Sequence, residues 1–186
     1  MPSFALMIRG LNVGGSKPMR MQVLRELLSG LGLKSVRTYL QSGNAVYEAP
    51  DRVGRASAKA AERAIRAEFG YEVTAIARTA AEMKAVVAAN PFAGRAGADP
   101  RFLHVTFLAG LPARQPAVSE LPAAPGERVA FSGEAVYLYC PLGYGNSRLT
   151  NNYLERALGC RATTRNWNTV RALEAMALGR EPQAAP

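Results

Sequence analysis

Apolar and polar residues in the first half of the chain recur in the spacings of strands and helices. The apolar run Phe4–Arg9 predicts a short buried strand. A glycine-rich loop, Gly10–Pro18, follows it, and apolar residues at helical spacing then predict a helix from Met19 to a stop at Gly32. The chain is therefore expected to begin with a strand, a loop and an amphipathic helix.

A hairpin and a second helix come next in the pattern. Alternation over Lys34–Gln41 and the segment Ala45–Glu48 predict two strands, and Ser42–Asn44 between them has the composition of a turn. An alanine-rich stretch ended by Gly70 predicts a long helix, and Tyr71–Ala77 predicts a fourth strand. The order β-α-β-β-α-β is typical of the ferredoxin-like fold, so we expect a ferredoxin-like α+β subdomain at the N-terminus.

The second half of the chain shows a less regular mixture of the same elements. A break dense in glycine and proline at residues 91–100 indicates a linker. We expect a first subdomain over residues 1–90, a smaller α+β subdomain over residues 101–180 and a frayed tail over residues 181–186. The elements expected in the second subdomain are a strand at 101–108, an irregular stretch at 112–125, a hairpin at 128–139, and helices at 152–158 and from Trp167.

The charge of the chain narrows the classes of partner. Its 186 residues carry a formal net charge of +9. Such an excess favours anionic partners, either a small molecule bearing phosphate or carboxylate or a nucleic acid. The basic residues are scattered, with no run of five like charges, so an ordinary basic surface accounts for the charge equally well.

Patterns typical of secreted, membrane and metal-binding proteins do not occur in the sequence. The two cysteines, Cys140 and Cys160, are too few for a disulfide framework, and no cysteine or histidine has zinc-ligand spacing. The N-terminus has no secretory signal pattern, and no apolar run approaches the ~20 residues that span a bilayer. We therefore expect a cytoplasmic protein with no membrane partner, and the sequence indicates no particular cofactor.

Two polar turns of the first subdomain are expected at one end of its sheet. In a ferredoxin-like sheet the first two strands run parallel with the third between them, so the Gly10–Pro18 loop and the Ser42–Asn44 turn are neighbours. The loop also leads into a helix N-terminus, where free amides and the helix dipole attract anions. We predict a phosphate or carboxylate site formed by Arg9, Gly10, Asn12, Gly14, Gly15, Lys17, Ser42, Gly43 and Asn44. The alternative is a structural glycine turn with Arg9 paired to a carboxylate.

The same loop nearly fits the phosphate-binding motif of nucleotide hydrolases, G-x-x-x-x-G-K-[ST]. Ser16 stands where that motif requires lysine, so the contact with the β-phosphate would be lost. No apolar strand ending in aspartate follows to hold magnesium. The sequence therefore excludes a nucleotide hydrolase of that class.

Three residues of the second half are further candidates for ligand binding. The guanidinium groups of Arg148 and Arg165 suit phosphate or carboxylate, and Trp167 is suited to stacking on a ring. Trp167 also begins an apolar helical stripe, for which a place in the core is the stronger interpretation. The one histidine, His104, lies within an apolar strand, where a buried structural role is favoured over catalysis.

Four segments give the chain a resemblance to a known family. They are Arg9–Gly15, Tyr39–Asn44, His104–Leu108 and Thr164–Thr169, and they occur in the expected order over nearly the whole chain. The sequence resembles the domain of unknown function 1697 family. The resemblance implies two small α+β subdomains, the first ferredoxin-like, and it implies no activity.

Three classes of function remain open at this point. The first is a protein that binds a small phosphate- or carboxylate-bearing molecule, in which no catalytic acid, base or nucleophile is evident. The second is an RNA-binding module, although the third predicted strand, Ala45–Glu48, lacks the expected aromatic pattern. The third is a protein-interaction scaffold.

Overall fold

The structure is a computed structural model that describes residues 1–94 and 99–182. These residues form a mixed α+β protein with two antiparallel four-stranded sheets and five α-helices. Residues 95–98 of the expected linker and residues 183–186 of the expected tail lie outside the described residues. Within the described part of the chain, no helix is both long and apolar enough to cross a lipid bilayer.

The chain divides into two compact units. The first contains Met1–Ala85 together with the chain from Arg171 onward, and the second contains Val86–Val170. The first unit is therefore discontinuous in sequence, whereas the glycine and proline pattern places a single division at residues 91–100. A hydrogen bond from Arg37 Nη2 to the carbonyl oxygen of Met176, 2.9 Å long, joins the two segments of the first unit.

The first unit carries a sheet with the strand order β2-β3-β1-β4, in which every neighbouring pair is antiparallel. Its elements begin with β1 (Ser3–Ile8), α1 (Met21–Gly30), β2 (Lys34–Tyr39) and β3 (Asn44–Glu48), and continue with α2 (Asp51–Phe69), β4 (Ala75–Thr79) and α3 (Ala80–Ala88).

Strand β1 lies inside this sheet and is buried along its length. From Phe4 to Ile8 every residue is at most 1% exposed. A strand buried on both faces reads as a continuous apolar run, which is the pattern in the sequence. In the register of the sheet, Leu6 lies opposite Ala45 of β3 and Ala77 of β4.

Helices α1 and α2 bury apolar stripes against one face of this sheet. Leu24 and Leu28 of α1, and Ala61 and Ile65 of α2, are fully buried in one core cluster with β1 and β3. Helix α2 ends as the sequence predicts, because Gly70 takes the left-handed conformation at φ 70° and its amide donates to the carbonyl of the last turn.

Two elements of the first unit begin later than the pattern predicts, and both differences have a local cause. Helix α1 begins at Met21, because the amide of Met19 is used by the side chain of Asn12 and Arg20 stays extended. Strand β4 begins at Ala75, because the preceding residues contact the Gly10–Pro18 loop instead of pairing with a strand.

The second unit has a sheet with the order β6-β7-β5-β8, again antiparallel at every pair. Its elements are β5 (Leu103–Leu108), β6 (Arg128–Ser132), β7 (Ala135–Tyr139), α4 (Asn151–Leu158) and β8 (Ala162–Asn166), after which α5 (Trp167–Ala177) continues into the first unit. The strand order repeats that of the first unit with each number raised by four.

Strand β8 has no apolar alternation, and the sequence pattern does not predict it. It occupies the edge of the sheet, where Thr164 pairs with Thr106 of β5 and their hydroxyl oxygens lie 2.8 Å apart. Such threonine pairs across strands stabilise a sheet without apolar residues. Helix α4 begins at Asn151, one residue before its predicted start, because the hydroxyl of Thr150 caps it by accepting from the amide of Tyr153.

The last strands of the two sheets end in the same way. Both β4 and β8 lead directly into a helix, and each has an arginine two residues before that helix begins, Arg78 and Arg165. In each case Nη1 donates to the carbonyl oxygen of the preceding residue, at 3.0 Å for Arg78 and 2.9 Å for Arg165. The likeness of the two units therefore extends from strand order to a local hydrogen bond.

Helix α2 approaches the first sheet closely at Gly54. A Cβ atom added there would lie 2.2 Å from the ring of Phe4, which stacks on Tyr47 with centroids 5.6 Å apart. The hydroxyl of Tyr47 contacts the side chain of Ser57 and the carbonyl of Gly54, and burial raises the pKa of Tyr47 to about 12. Helix α2 can pack this closely only because residue 54 has no side chain.

We expect Gly54→Ala to lower the free energy of unfolding by at least about 2 kcal/mol, because the methyl group overpacks a closed core. The matched control is Gly30→Ala in α1, where an added Cβ meets nothing within 4 Å and φ is not left-handed. That change should raise stability by about 0.5 kcal/mol through helix propensity. Urea midpoints at constant slope measure both, and equal effects of the two changes would contradict the close approach.

Candidate anion-binding site

The structure brings the Gly10–Pro18 loop and the turn before β3 together at one end of the first sheet. The amide of Ile8 donates to the carbonyl oxygen of Gly43 at 2.8 Å, and the side-chain amide of Asn12 donates to that of Gln41 at 2.7 Å. Gly43 is required there, since it has φ of 74° and an added Cβ would lie 2.9 Å from the carbonyl oxygen of Ile8. The parallel arrangement of the first two strands predicts this convergence.

The side chain of Asn12 fastens the loop to its surroundings. Its Nδ2 donates to the carbonyl oxygens of Met19, at 2.8 Å, and of Gln41, at 2.7 Å. Its Oδ1 accepts from the amide of Met19 at 2.7 Å. The amide group is therefore used within the chain, and Asn12 shapes the loop while presenting its remaining surface to an adjoining cavity.

The opposite side of the loop is attached to the segment before β4. The backbone amide of Arg9 donates to the carbonyl oxygen of Thr74 at 2.8 Å. The ammonium group of Lys17 donates to the carbonyl oxygen of Glu72, and the hydroxyl of Tyr71 donates to that of Pro18 at 3.3 Å. The loop is thus held from both sides, and Lys17 contributes to this attachment.

Left-handed backbone is concentrated at this end of the sheet. Among the described residues, four that are not glycine have positive φ, and three of them are Asn12, Lys17 and Leu40, at 56°, 47° and 55°. The conformation costs about 1–2 kcal/mol at Lys17 and Leu40, whereas asparagine tolerates it more readily. Strain of this kind is held in place by surrounding contacts and is most often found at functional sites.

An open cavity of about 530 Å³ lies beside the loop, lined by Asn12, Pro18, Met19, Arg20 and Gln41. Its volume falls within the roughly 300–1,000 Å³ of small-molecule sites. Helix α1 begins at this cavity, no side chain caps its N-terminus and its first turn holds no acidic residue. In the part of the chain that the structure describes, neither a capping side chain nor a first-turn carboxylate compensates the partial positive charge of this helix end.

The remaining predicted residues of the two turns have separate roles. The side-chain amide of Asn44 is buried and donates to Ser42 Oγ at 3.0 Å and to the carbonyl oxygen of Tyr39 at 3.2 Å, which stabilises the turn. By contrast, an added Cβ at Gly10, Gly14 or Gly15 meets nothing within 4 Å, so their backbone is open to a ligand. The side-chain amide of Asn44 is thus used within the turn, whereas Gly10, Gly14 and Gly15 can present backbone to a bound molecule.

The three candidates of the second half lie in the second unit. Arg148 is exposed between β7 and α4. Arg165 is half-buried on β8 and also donates to Thr163 Oγ1 at 2.8 Å, and burial lowers its pKa to about 10, so it stays charged at neutral pH. Trp167 is 4% exposed, which is the core placement that its helical stripe predicts.

Sequence patterns missed three residues that line the cavity, namely Met19, Arg20 and Gln41. Arg20 is the residue that precedes α1, so it stands at the helix end without belonging to the helix. The sequence feature that could have indicated Arg20 is Pro18, which fixes the extended segment leading to the helix. Gln41 faces the cavity from the turn that Gly43 makes possible.

Both cysteines are free thiols, Cys140 buried and Cys160 partly exposed. Burial is the main cause that raises the pKa of the Cys140 thiol to about 11. Cys160 is half-exposed, and its Sγ lies 3.5 Å from the carbonyl oxygen of Gly110. Over residues 1–94 and 99–182, no three or more His, Cys, Asp or Glu side chains are grouped to hold a metal ion.

His104 is buried in the second unit. It is 8% exposed and stacks on Tyr144 with ring centroids 4.8 Å apart, and its Nδ1 has no hydrogen-bond partner. Burial lowers the pKa of its imidazole, against a smaller opposing effect of the Phe102 backbone. Burial therefore favours the neutral imidazole, which agrees with the structural role favoured by its sequence context.

The first sheet does not offer the open face on which RNA-recognition sheets stack bases. Ala5 and Met7 of β1, and Val46 of β3, point away from the α1–α2 side and are at most 2% exposed. An RNA contact through this sheet is therefore disfavoured by the burial of its residues.

The fold and the site define an α+β protein with two four-stranded antiparallel sheets and a cavity at a glycine-rich strand-to-helix loop. The family model "Protein of unknown function (DUF1697)" matches residues 1–137, so the chain belongs to that family. The match includes three of the four resembling segments, while Thr164–Thr169 lies beyond it. No match was found among curated proteins.

A solved structure shares the fold. The conserved bacterial protein SP0830 from Streptococcus pneumoniae superposes with a TM-score of 0.68 at 19% sequence identity, over 95% of this chain and 98% of that one. At this identity the likeness extends to the fold alone, and it covers both units.

We expect Asn12→Asp to lower the free energy of unfolding by about 1–3 kcal/mol, because the carboxylate cannot donate to the carbonyl oxygens of Met19 and Gln41. Aspartate tolerates the left-handed backbone as asparagine does, so the change isolates the two donated hydrogen bonds. Gln115→Glu at an exposed position is the control and should change stability by less than about 0.5 kcal/mol. Equal urea midpoints for both variants would show that the Asn12 amide contributes nothing.

We expect stability to depend on pH through His104, the one histidine of the chain. Burial disfavours the charged imidazole in the folded protein, whereas the unfolded chain binds a proton below about pH 6.5, so unfolding is favoured as the pH falls below that value. The free energy of unfolding should change little between about pH 7 and pH 8, below the pH at which the thiols of the unfolded chain ionise, and fall by at most about 1.4 kcal/mol per pH unit towards pH 5.5. Urea titrations should show this slope in the wild type and lose it in His104→Gln. A flat wild-type profile would mean that the folded imidazole titrates normally.

Proposed function

We propose that the protein binds a small phosphate- or carboxylate-bearing molecule in the cavity beside the Gly10–Pro18 loop. The observation that carries the proposal is the helix α1 N-terminus, which meets an open cavity without a capping side chain or an acidic residue. Backbone amides and the helix dipole favour an anion at such a position. Arg20 lines the same cavity and adds a full positive charge.

Other features of the loop support the same proposal. The open space beside Gly14 and Gly15 allows a ligand to approach the backbone closely, and the hydrogen bonds of Asn12 and Lys17 keep the loop in one shape. A loop that already has its final shape loses less conformational entropy when a ligand binds. In this proposal Arg9 and Arg20 supply charge, while Asn12 and Lys17 maintain the loop.

The ferredoxin-like arrangement of the first unit belongs to the proposal. The order β2-β3-β1-β4 supports it, because β1 and β2 run parallel with β3 between them. In this arrangement the loop that leaves the interior strand and the turn that leaves β2 share one end of the sheet. The second unit, with α4 as its one complete helix, is proposed as the smaller α+β subdomain.

A thermal-shift screen at low salt tests the proposed function. Inorganic phosphate, sugar phosphates, nucleotides and dicarboxylates are the probes. A ligand present at 100 times its dissociation constant stabilises by about 2.7 kcal/mol, which raises the midpoint by about 5–10 °C at this chain length. We expect one probe to produce such a shift and Arg20→Ala to reduce it strongly, with a smaller reduction in Arg9→Ala.

Arg171→Ala is the matched control, since it removes one exposed positive charge from α5 and leaves the loop unchanged. It should retain the full shift. The proposal fails if every probe leaves the wild-type midpoint unchanged. It fails equally if the shift persists undiminished in Arg20→Ala, because the anion then binds elsewhere.

A further inference from the structure

The exposed face of α2 carries a continuous stripe of positive charge. Its cations stand three or four residues apart, which places all of them within an arc of about 80° around the helix. No acidic residue falls inside this arc: Asp51 and Glu62 lie beyond one edge and Glu68 lies on the other side. The residues of this basic stripe are Arg52, Arg55, Lys59, Arg63 and Arg66.

The chain neutralises only part of the basic stripe. Arg55 pairs with Asp51 at 3.1 Å and with Glu82 at 3.4 Å. Arg66 pairs with Glu72 at 3.0 Å. Among the described residues, no ion pair is formed by the other three members, Arg52, Lys59 and Arg63.

The spacing of these charges has an energetic cost. Arg55, Lys59 and Arg63 follow one another at intervals of four residues, where like charges repel and destabilise a helix. The stripe runs over about 21 Å from Arg52 to Arg66, which is the length of several turns of a partner helix.

An apolar groove lies directly beside the basic stripe. It has a volume of about 280 Å³ and runs between α2 and the end of α1. The volume is below the roughly 300–1,000 Å³ typical of small-molecule sites, so it suits side chains and not a whole ligand. The groove and the stripe share Arg52, and the other lining residues are Leu31, Leu33, Val53, Ala56, Ser57 and Ala60.

We propose that this face of the first unit docks an acidic amphipathic helix of a partner protein. Apolar side chains of that helix occupy the groove, and its carboxylates lie along the basic stripe. Charge complementarity selects this occupant, since three cations of the stripe lack a partner in the described chain and stand next to apolar surface. A nucleic acid would contact the cations but leave the groove uncovered.

Fluorescence anisotropy with a defined probe tests the proposal. The probe is a labelled helical peptide of about 18 residues, long enough to cover the stripe, with leucines on one face and glutamates on the next. Its comparison is a scrambled peptide of the same composition. We expect the wild type to bind the helical probe, and to bind it more weakly when salt rises from about 0.01 M to about 0.1 M and the Debye length falls from about 30 Å to about 10 Å.

Two variants test separately how much the basic stripe and the groove contribute to binding. Lys59→Glu with Arg63→Glu should weaken binding at least about tenfold, because two unpaired cations become repulsive. Val53→Gln should weaken it about fivefold, because an apolar wall of the groove, 39% exposed, becomes polar. Arg156→Glu with Arg171→Glu changes the net charge equally at exposed positions outside the stripe and should bind as the wild type does.

Three outcomes overturn the proposal. One is no binding of the helical probe by the wild type at low salt, and another is equal binding of the scrambled peptide. The third is that single-stranded RNA or duplex DNA displaces the probe and loses affinity in the same stripe variant, which assigns the stripe to nucleic acid. Arg20→Ala should bind the probe normally, so this result is independent of the anion site.

Discussion

The interior position of β1 is the constraint on which the rest of the first unit depends. A strand that is buried on both faces has to be paired on both sides, and β3 and β4 supply that pairing. The loop that follows β1 consequently lies between two other segments, the turn before β3 and the segment before β4. Gly43 receives a hydrogen bond from Ile8 on one side, and Thr74 receives one from Arg9 on the other. The shape of the loop, and of the cavity beside it, follows from the burial of one apolar strand.

Periodicity predicted the elements of the first unit well, because its strands and helices bury clear apolar stripes. It did not predict β8, whose residues are held by threonine pairing at a sheet edge and not by apolar burial. The convergence of the Gly10–Pro18 loop with the turn before β3 was predictable from the parallel arrangement of the first two strands. The roles within the candidate site were not, because sequence cannot show whether a polar side chain is satisfied by the chain. Asn12 and Lys17 hydrogen-bond to nearby carbonyl groups, and Arg20 lines the cavity.

The two proposed surfaces of the first unit use positive charge in different ways. At the loop, one arginine acts together with a helix end, and the surrounding hydrogen bonds fix the geometry closely. Along α2, several flexible side chains spread positive charge over the length of the helix without a fixed geometry. The apolar groove beside them has a defined shape. The first arrangement suits a small anion whose oxygens are few and close together, and the second suits a long partner whose charges are spread along a helix.

The return of the chain to the first unit has a consequence for the order of events during synthesis. Residues up to Ala85 leave the ribosome long before α5 does, and N-terminal segments generally fold first. Yet the guanidinium group of Arg37 finds its acceptor only at Met176. The segment up to Ala85 is therefore synthesised well before the first unit is complete, and β2 lacks its contact with Met176 until that residue has been translated.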